Sequence, residues 1–484
     1  MEPKRSLVAL AKGENRIEAI AQAFDLLGGI KRWIKPGDRV LLKPSVLMVG
    51  GTPLLTHIDM MKGLFLLARE AGAGEILVGE TCASNLSPRV QFEYLGYADA
   101  LKRLGIKLVF FDEDEWVRVS RPQNFCLKDL HLPRTLVDAD VWITVPVAKT
   151  HVATLTTLGI KNSHGILMDV DKARHHCHRP ALGSSLHDKL VDVLAAVKPH
   201  LTVIDMFHAM EGNGPGLGDT VEMKIVVASD DIVAADAVGD YLMGFKNLEN
   251  PLPRKAQERG LGIADLDRID IVGEKPDDHR RCFSRPLPGE IPDYDPPGLK
   301  ILRGNACLSG CGMAARFLID IFRLLLRKDL SELQPIHVLV GLNPPPPPEK
   351  KFILVYGDCA IYSTWNYEYR KSPAWIGPWW RKRPGYIQIP GCMPLNLDWF
   401  QTLAKMMKGY APLLSFTSIV ELALAERFNQ ATGVPLEKNP RRWHFDPEFA
   451  RKYAREIAES NPPGYLSPND SQIKSGEKNS LLSS

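Results

Sequence analysis

The chain has 484 residues, 45% of them hydrophobic, and this length exceeds what one hydrophobic core usually organises. Its 60 basic and 57 acidic residues leave a formal charge of +3, which excludes the cationic excess typical of nucleic-acid-binding proteins. Residues 1–13 lack the apolar core of a signal peptide, and no window reaches roughly 18 uninterrupted apolar residues. We therefore expect a cytoplasmic protein of two or three domains that neither binds nucleic acid nor spans a membrane.

The N-terminal half of the chain alternates short apolar runs with helical patterns. The patterns predict strands over 6–11, 39–43, 75–79, 107–111, 137–147, 201–205 and 224–228, and helices over 16–34, 60–71, 97–104 and 186–197. Strands that alternate with helices indicate βαβ units and a largely parallel sheet. The predicted fold class is therefore α/β, with an N-terminal domain over residues 1–272.

A proline-rich break follows this domain. Six prolines lie among charged residues in 273–298 without an apolar period, which predicts a linker. The chain beyond it is predicted to form a second, smaller α/β domain over 299–410, a helical segment over 411–464 and a disordered polar tail over 465–484. The second domain should contain strands over 299–302, 336–341, 352–356 and 386–389, and an amphipathic helix over 313–326.

Several short motifs follow one another in the N-terminal domain. They are Leu42-Lys43-Pro44, Val78-Gly79-Glu80, the runs 147–151, 157–165 and 205–215, and Ala234-Ala235-Asp236. Each motif alone is weak, but their combined order over residues 5–275 resembles the family catalogued as domain of unknown function 362. The resemblance implies an iron–sulfur protein, since members are often described as such. Many members carry a dense ferredoxin-type cysteine run, which this chain lacks.

Basic and polar side chains follow the predicted strands of the N-terminal domain. They are Lys43, Lys149, His151, Lys161, Asn162 and His164. Open α/β sheets bind ligands at the carboxyl ends of their strands, and lysines gathered there favour a carboxylate or a phosphate. Any single lysine is equally explained as a solvated loop residue. The family resemblance favours a shared site for a small anionic substrate.

A glycine-rich loop over 211–218 follows the strand that ends at Asp205. Its glycines permit positive φ and close backbone approach, so successive N–H groups are able to cradle an anion. The loop lacks the Walker and dinucleotide spacings, and a plain flexible turn is the alternative. Glu211 and Asn213 are candidate substrate-binding residues, and the carboxylates of Glu211 and Asp205 suit a general base or a metal ligand.

The densest group of potential ligands is Arg174-His175-His176-Cys177-His178. His175 and His178 stand three residues apart, so on a helix both would face one metal ion. The family resemblance instead implies substrate contact by Arg174 and His178. A solvated surface cluster is the third interpretation.

Four cysteines of the second domain follow predicted strands. Cys307 and Cys311 follow 299–302, Cys359 follows 352–356, and Cys392 follows 386–389. If the strands converge, four thiolates would meet at one end of a sheet, where they suit a [4Fe–4S] cluster or a structural zinc. Two Cys-x-x-Cys pairs are usual for zinc, whereas this chain has one close pair with a three-residue gap. Unligated core cysteines are the remaining alternative.

Four tryptophans and four tyrosines lie between Cys359 and Cys392, together with arginines and lysines. This segment is interpreted as a lid over the metal site, a surface for a partner protein, or a packed loop.

Two classes of function are consistent with these patterns. The first is an iron–sulfur oxidoreductase that acts on a small anionic substrate and exchanges electrons with a partner protein. The second is a non-redox ligand-binding or metal-delivery protein whose cysteine site is structural. The sequence indicates neither the reaction nor its catalytic residues.

Overall fold

The computed structural model describes residues 5–47, 53–82, 88–168, 171–172, 175–176, 185–212, 214–216, 218–286, 299–307, 336–376, 383–389 and 465–466. These residues divide into two compact units. The first unit contains the described residues up to 172 and those of 185–286. The second unit contains residues 175–176 and the described residues from 299 onward.

The first unit is built on a large mixed sheet. Its described strands are β1 (Ser6–Lys12), β2 (Arg39–Pro44), β3 (Glu75–Glu80), β4 (Lys107–Phe110), β7 (Val141–Val145), β8 (Val147–His151), β9 (Leu155–Thr157), β10 (Leu201–Glu211), β11 (Asp219–Glu222), β12 (Ile225–Ser229) and β13 (Ile269–Gly273). A separate antiparallel pair consists of β5 (Trp116–Ser120) and β6 (Asp129–Pro133).

The strand order is β13-β1-β12-β10-β7-β2-β3-β4, with β8, β9 and β11 attached beyond this path. Along that path β12 is antiparallel to both of its neighbours, and the other neighbouring strands are parallel. The carboxyl ends of β7, β2 and β3 therefore lie side by side at one edge. The predicted α/β class with a largely parallel sheet is confirmed.

Helices cover both faces of this sheet. They are α1 (Arg16–Leu26), α2 (Ile58–Glu70), α3 (Pro88–Tyr94), α4 (Tyr97–Leu104), α5 (Arg134–Val137), α6 (Gly159–Asn162), α7 (Leu186–Ala196), α8 (Ile232–Leu242), α9 (Pro251–Glu258) and α10 (Pro276–His279). Successive strand residues point to opposite faces, so Leu42 and Val78 pack with α1 and α2, whereas Leu41 and Leu77 pack with Val193 of α7.

Two predicted elements end earlier than expected. The helix predicted over 16–34 ends at Leu26, because Gly28 and Gly29 adopt positive φ, and a short 3-10 turn (Ile30–Arg32) follows. The strand predicted over 137–147 is divided into β7 and β8 around Pro146, which cannot donate to a ladder.

The stretch 273–286, which was predicted as part of a linker, belongs to the first unit. Pro276 occupies the first turn of α10, where a missing N–H costs nothing. The chain then pairs with the end of α8, since Arg281 N–H donates to Leu242 O over 2.8 Å and Phe283 N–H donates to Met243 O over 3.1 Å. Of the predicted linker, 287–298 lies outside the described residues.

The second unit contains a smaller, parallel sheet in the order β14-β16-β17-β20. Its described elements are β14 (Leu299–Arg303), β15 (Ala306–Cys307), β16 (Ile336–Val340), β17 (Ile353–Tyr356), α11 (Asp358–Ser363), α12 (Glu368–Lys371), β18 (Trp375–Ile376), β19 (Arg383–Pro384), β20 (Tyr386–Ile389) and β21 (Tyr465–Leu466). The four predicted strands of this sheet are confirmed.

Two other predictions for the C-terminal part lie outside the described residues. They are the helix over 313–326 and the helical segment over 411–464. Two residues of the predicted disordered tail, Tyr465 and Leu466, form β21 and pair with β15. Within the described residues, no helix is long and apolar enough to cross a bilayer.

Candidate functional site

Four lysines and one glutamate lie at the carboxyl edge of the parallel strands in the first unit. We call this group the lysine cluster; its members are Lys43 in β2, Glu80 in β3, Lys149 in β8, Lys161 in α6, and Lys172. Burial lowers the pKa values of Lys43, Lys149 and Lys161, and the charges of neighbouring lysines in the cluster lower them further. The sheet topology therefore brings together three of the lysines that the sequence predicted for an anionic ligand.

Lys43 and Glu80 form a buried ion pair. Lys43 is 1% exposed, and its Nζ donates to Glu80 Oε2 over 2.7 Å, to Pro44 O over 3.0 Å and to Asn162 Oδ1 over 3.3 Å. Burial lowers the pKa of Lys43, while the charge of Glu80 opposes that effect. A Cβ on Gly165 would stand 2.7 Å from both Lys43 Nζ and Glu80 Oε1, so only glycine permits this approach. The ion pair and residue 165 are therefore packed too closely for any side chain at that position.

Lys172 is also bonded to the protein through its amine. Its Nζ donates to Thr81 Oγ1 over 2.8 Å and to Cys82 O over 2.7 Å, directly after the end of β3. These two bonds hold the Lys172 amine beside the carboxyl end of β3.

Lys149 and Lys161 differ from the other two lysines because they retain unused donors. Lys149 is 1% exposed and donates to Leu54 O over 3.0 Å and to Ser45 Oγ over 3.4 Å. Its third N–H has no acceptor within the described part of the chain. Lys161 is half-buried and makes no hydrogen bond or ion pair with the part of the chain that the structure describes. Burial and the neighbouring cations lower the pKa of each to about 7.

The short helix α6 holds Lys161 in place through buried hydrogen bonds on either side. At its start, the carboxylate of Asp236 accepts from Gly159 N–H over 2.7 Å and from Ile160 N–H over 2.9 Å. At its end, Asn162 Nδ2 donates to Thr144 Oγ1 over 2.9 Å. Asn162, a predicted ligand residue, is therefore engaged in fixing α6 to β7 and to Lys43.

The remaining predicted substrate residues have structural contacts or are not described. His151 is 2% exposed, and its Nδ1 accepts from Ala153 N–H over 3.0 Å in the turn after β8. His164 is buried in the 3-10 turn Ser163–Ile166. The carboxylate of Glu211 accepts from Ser284 N–H over 2.7 Å. Asn213, Arg174 and His178 lie outside the described residues.

A second polar group lies around the N-terminus of α1. Asp205 was the member of this group that the sequence had marked as a candidate. Arg16 Nε donates to the fully buried Asp205 Oδ2 over 2.9 Å, and Arg16 Nη2 lies 3.1 Å from His208 Nδ1. Burial and the charge of Arg16 lower the pKa of His57 nearby. Asp205, a sequence candidate for a general base, is thus engaged in an ion pair. Arg16 is the first residue of α1, four positions after the end of β1, so a search for basic residues soon after strands would have found it.

The cysteine site is only partly described. Cys359 is buried near the start of α11, and Cys307 lies in β15, whereas Cys311 and Cys392 lie outside the described residues. The three strands that precede these cysteines, β14, β17 and β20, run parallel in one sheet, so their carboxyl ends share an edge. The described residues contain no group of three or more His, Cys, Asp or Glu side chains placed to hold a metal.

The fold and the site together define an α/β protein with a lysine-lined edge at the carboxyl ends of its strands. Residues 40–239, which contain the lysine cluster, match the family described as "Domain of unknown function (DUF362)". A thylakoid-associated protein of Synechocystis sp. is 35% identical over 250 residues, which make up 51% of this chain and 75% of that relative. The chain therefore belongs to the domain of unknown function 362 family, as the sequence motifs indicated.

Two solved structures show a distant overall likeness. The lactate racemase apoprotein from Thermoanaerobacterium thermosaccharolyticum is 10% identical, with a TM-score of 0.33, over 49% of this chain and 57% of that one. A protein from Thermotoga maritima is 12% identical, also with a TM-score of 0.33, over 78% of this chain and 89% of that one.

Proposed function

We propose that the first unit binds a small anion, a carboxylate or a phosphate, at the lysine cluster. The observation that carries this proposal is that Lys161 and Lys149 keep donors without an acceptor among the described residues, in a site where Glu80 is the carboxylate bonded to Lys43. Charge-assisted hydrogen bonds from ammonium groups to an anion are strong and short. An anion would receive such bonds and would reduce the repulsion among the lysines.

The charge state of the site supports coupling between anion binding and protonation. With pKa values of about 7, Lys149 and Lys161 are partly neutral at physiological pH when no anion is bound. A bound anion favours the protonated amines, so it raises both pKa values and draws protons from solution. Binding should therefore be accompanied by proton uptake.

Calorimetric titration of the full chain with oxalate and with inorganic phosphate tests the anion site. We expect at least one of them to bind, and we expect Lys161→Gln to weaken that binding by about tenfold or more, the usual value of a hydrogen bond to a charged group. The matched control is Lys107→Gln, since Lys107 is 64% exposed and lies at the amino-terminal start of β4. Absence of binding by both anions, or equal affinities in wild type and Lys161→Gln, would refute the proposal.

For the second unit, we propose a [4Fe–4S] cluster held by Cys307, Cys311, Cys359 and Cys392, which would make the protein a cytoplasmic iron–sulfur oxidoreductase. The parallel order of β14, β17 and β20 supports this proposal, because the carboxyl ends of the strands that precede the cysteines share one edge of a sheet. Four cysteine thiolates are the usual ligands of such a cluster. When bound, the cluster would supply one-electron transfer between the substrate and an electron-transfer partner protein.

Anaerobic purification tests the cluster. We expect brown protein whose broad visible absorbance bleaches with dithionite. We also expect Cys359→Ala to lose its iron. The control variant Cys282→Ala, at an exposed position, should retain its iron. Colourless protein with one zinc per chain would instead support a structural metal site in a non-redox ligand-binding or metal-delivery protein. Full iron content in Cys359→Ala would remove Cys359 from the ligand set.

A further inference from the structure

The amines of the lysine cluster fall into two groups according to their hydrogen bonds. Lys43 and Lys172 are bonded through Nζ to acceptors of the protein itself, which fixes their charges in place. Lys149 keeps one unused N–H, and Lys161 makes no such bond among the described residues. The site therefore combines fixed cations with one half-buried amine, that of Lys161, which has no acceptor among the residues that the structure describes.

We propose that Lys161 is a nucleophilic amine that forms an imine with a 2-oxo acid bound in the lysine cluster. This inference rests on the proposed anion site and specifies its substrate class. The carboxylate of a 2-oxo acid matches the unused N–H of Lys149 and the surrounding positive charge. The ketone carbon of such a substrate is one bond from the carboxylate. Lys161 is the amine of the cluster that has no acceptor among the described residues, so we assign it as the nucleophile.

The environment of Lys161 is that of an activated lysine. An amine attacks a carbonyl only when it is unprotonated, and enzymes obtain that form at neutral pH by burial or by a neighbouring cation. Both causes are present here, because burial lowers the pKa of Lys161 to about 7 and the charges of Lys172 and Lys43 act in the same direction. Before an anion binds, about half of the Lys161 amines are therefore neutral near pH 7, against about one in a few thousand for a lysine in water.

The reaction needs no oxidant or reductant. The lone pair of Lys161 Nζ attacks the ketone carbon, and a C–N bond forms. The ketone oxygen then leaves as water together with the two amine protons, so a C=N bond replaces the C=O bond. The carboxylate of the substrate keeps its contact with Lys149 throughout, which positions the reacting carbon.

Reductive trapping of the full chain tests the proposal, with pyruvate as the probe. We incubate the protein with pyruvate and sodium cyanoborohydride at pH 7, digest it, and locate N-(1-carboxyethyl)lysine by mass spectrometry. We expect at least about tenfold more modification of Lys161 than of the exposed Lys107, because the neutral fraction of the two amines differs by more than that. An excess of oxalate, which has no ketone, should suppress the modification of Lys161 and leave that of Lys107 unchanged.

Oxalate binding by the wild-type protein separates this inference from the anion site, because oxalate has no ketone. Lys161→Arg lacks the amine that forms the imine, so its trapped product should disappear. Equal modification of Lys161 and Lys107 in the wild-type protein, or modification of Lys149 in place of Lys161, overturns the inference. If oxalate still binds in that case, the anion site stands without the imine; if oxalate fails to bind the wild-type protein, both proposals fail.

Discussion

Glu80 offsets the buried charge of Lys43, and Glu80→Gln removes the negative charge while it keeps the size of the side chain. In the variant, Lys43 stays 1% exposed with neutral acceptors only, and the charge of Lys172 repels it. Removal of one partner of a buried ion pair costs about 3–5 kcal/mol. We expect Glu80→Gln to destabilise the first unit by this amount at pH 7.

The cost has an upper limit, because Lys43 is able to lose its proton. An unfolded lysine with the ordinary pKa of 10.5 is protonated at pH 7, and neutralising it there costs about 5 kcal/mol at 1.36 kcal/mol per unit. At pH 9 the same step costs about 2 kcal/mol. The folded variant binds fewer protons than its unfolded chain, so the destabilisation should shrink as the pH rises from 7 to 9.

Urea unfolding at both pH values measures this effect, with brief deuterium pulses that report on the peptides of β2 and β3. The matched control is Glu75→Gln, since Glu75 is 40% exposed and pairs with Arg39 and Lys107 at the surface. We expect Glu75→Gln to lower the free energy of unfolding by less than about 1 kcal/mol at either pH. A loss in Glu80→Gln that equals the control, or that grows between pH 7 and pH 9, would show that the charge on Lys43 is not stabilised by Glu80.

Other expected outcomes concern binding and packing near the site. Oxalate affinity, measured by calorimetry from pH 6 to pH 9, should fall above pH 7 by up to about tenfold per pH unit for each of Lys149 and Lys161. The reason is that both amines must be protonated to bind the anion and both pKa values are about 7. Constant affinity over this pH range would contradict the prediction. Asp192→Ala should lower the free energy of unfolding of the first unit, measured in urea, by about 3–5 kcal/mol. The buried carboxylate of Asp192 accepts hydrogen bonds from Arg259 and from the backbone N–H groups of Phe125, Cys126 and Leu127. A loss below about 1 kcal/mol would argue against a structural role for this carboxylate. Gly159→Ala should lower the free energy of unfolding by about 1–3 kcal/mol and weaken oxalate binding. The added Cβ would stand 2.8 Å from Ile232 Cγ1 and from Thr202 Cγ2, so α6 would have to shift. Unchanged stability and affinity would show that α6 accommodates the methyl group.

Most of the core elements were predictable because their signals are local. The apolar runs over 39–43 and 75–79 became β2 and β3, since buried parallel strands read as continuous hydrophobic segments. The helix after β1 was predictable in its start but not in its length, because two glycines with positive φ end it. Local signals of this kind fix the type of an element better than its end.

The site was predictable in part. Lysines directly after strands marked the edge at which Lys43, Lys149 and Lys161 meet. Nothing in the sequence marked Lys172, which stands outside any strand end and reaches Thr81 and Cys82 only through the fold. The sequence likewise did not show that Asn162 and Glu211 would be engaged in hydrogen bonds that hold the chain in place.

The amino-acid sequence by itself determined the α/β class, the family and the carboxyl edge as the place where lysines gather, because periodicity and strand-end residues are properties of neighbouring positions. The tertiary structure decided which amines carry free donors. That property depends on acceptors far away in the chain, such as Glu80 for Lys43 and Leu54 for Lys149. Burial and the field of the other lysines, which set the pKa of Lys161, likewise exist only once the strands are aligned.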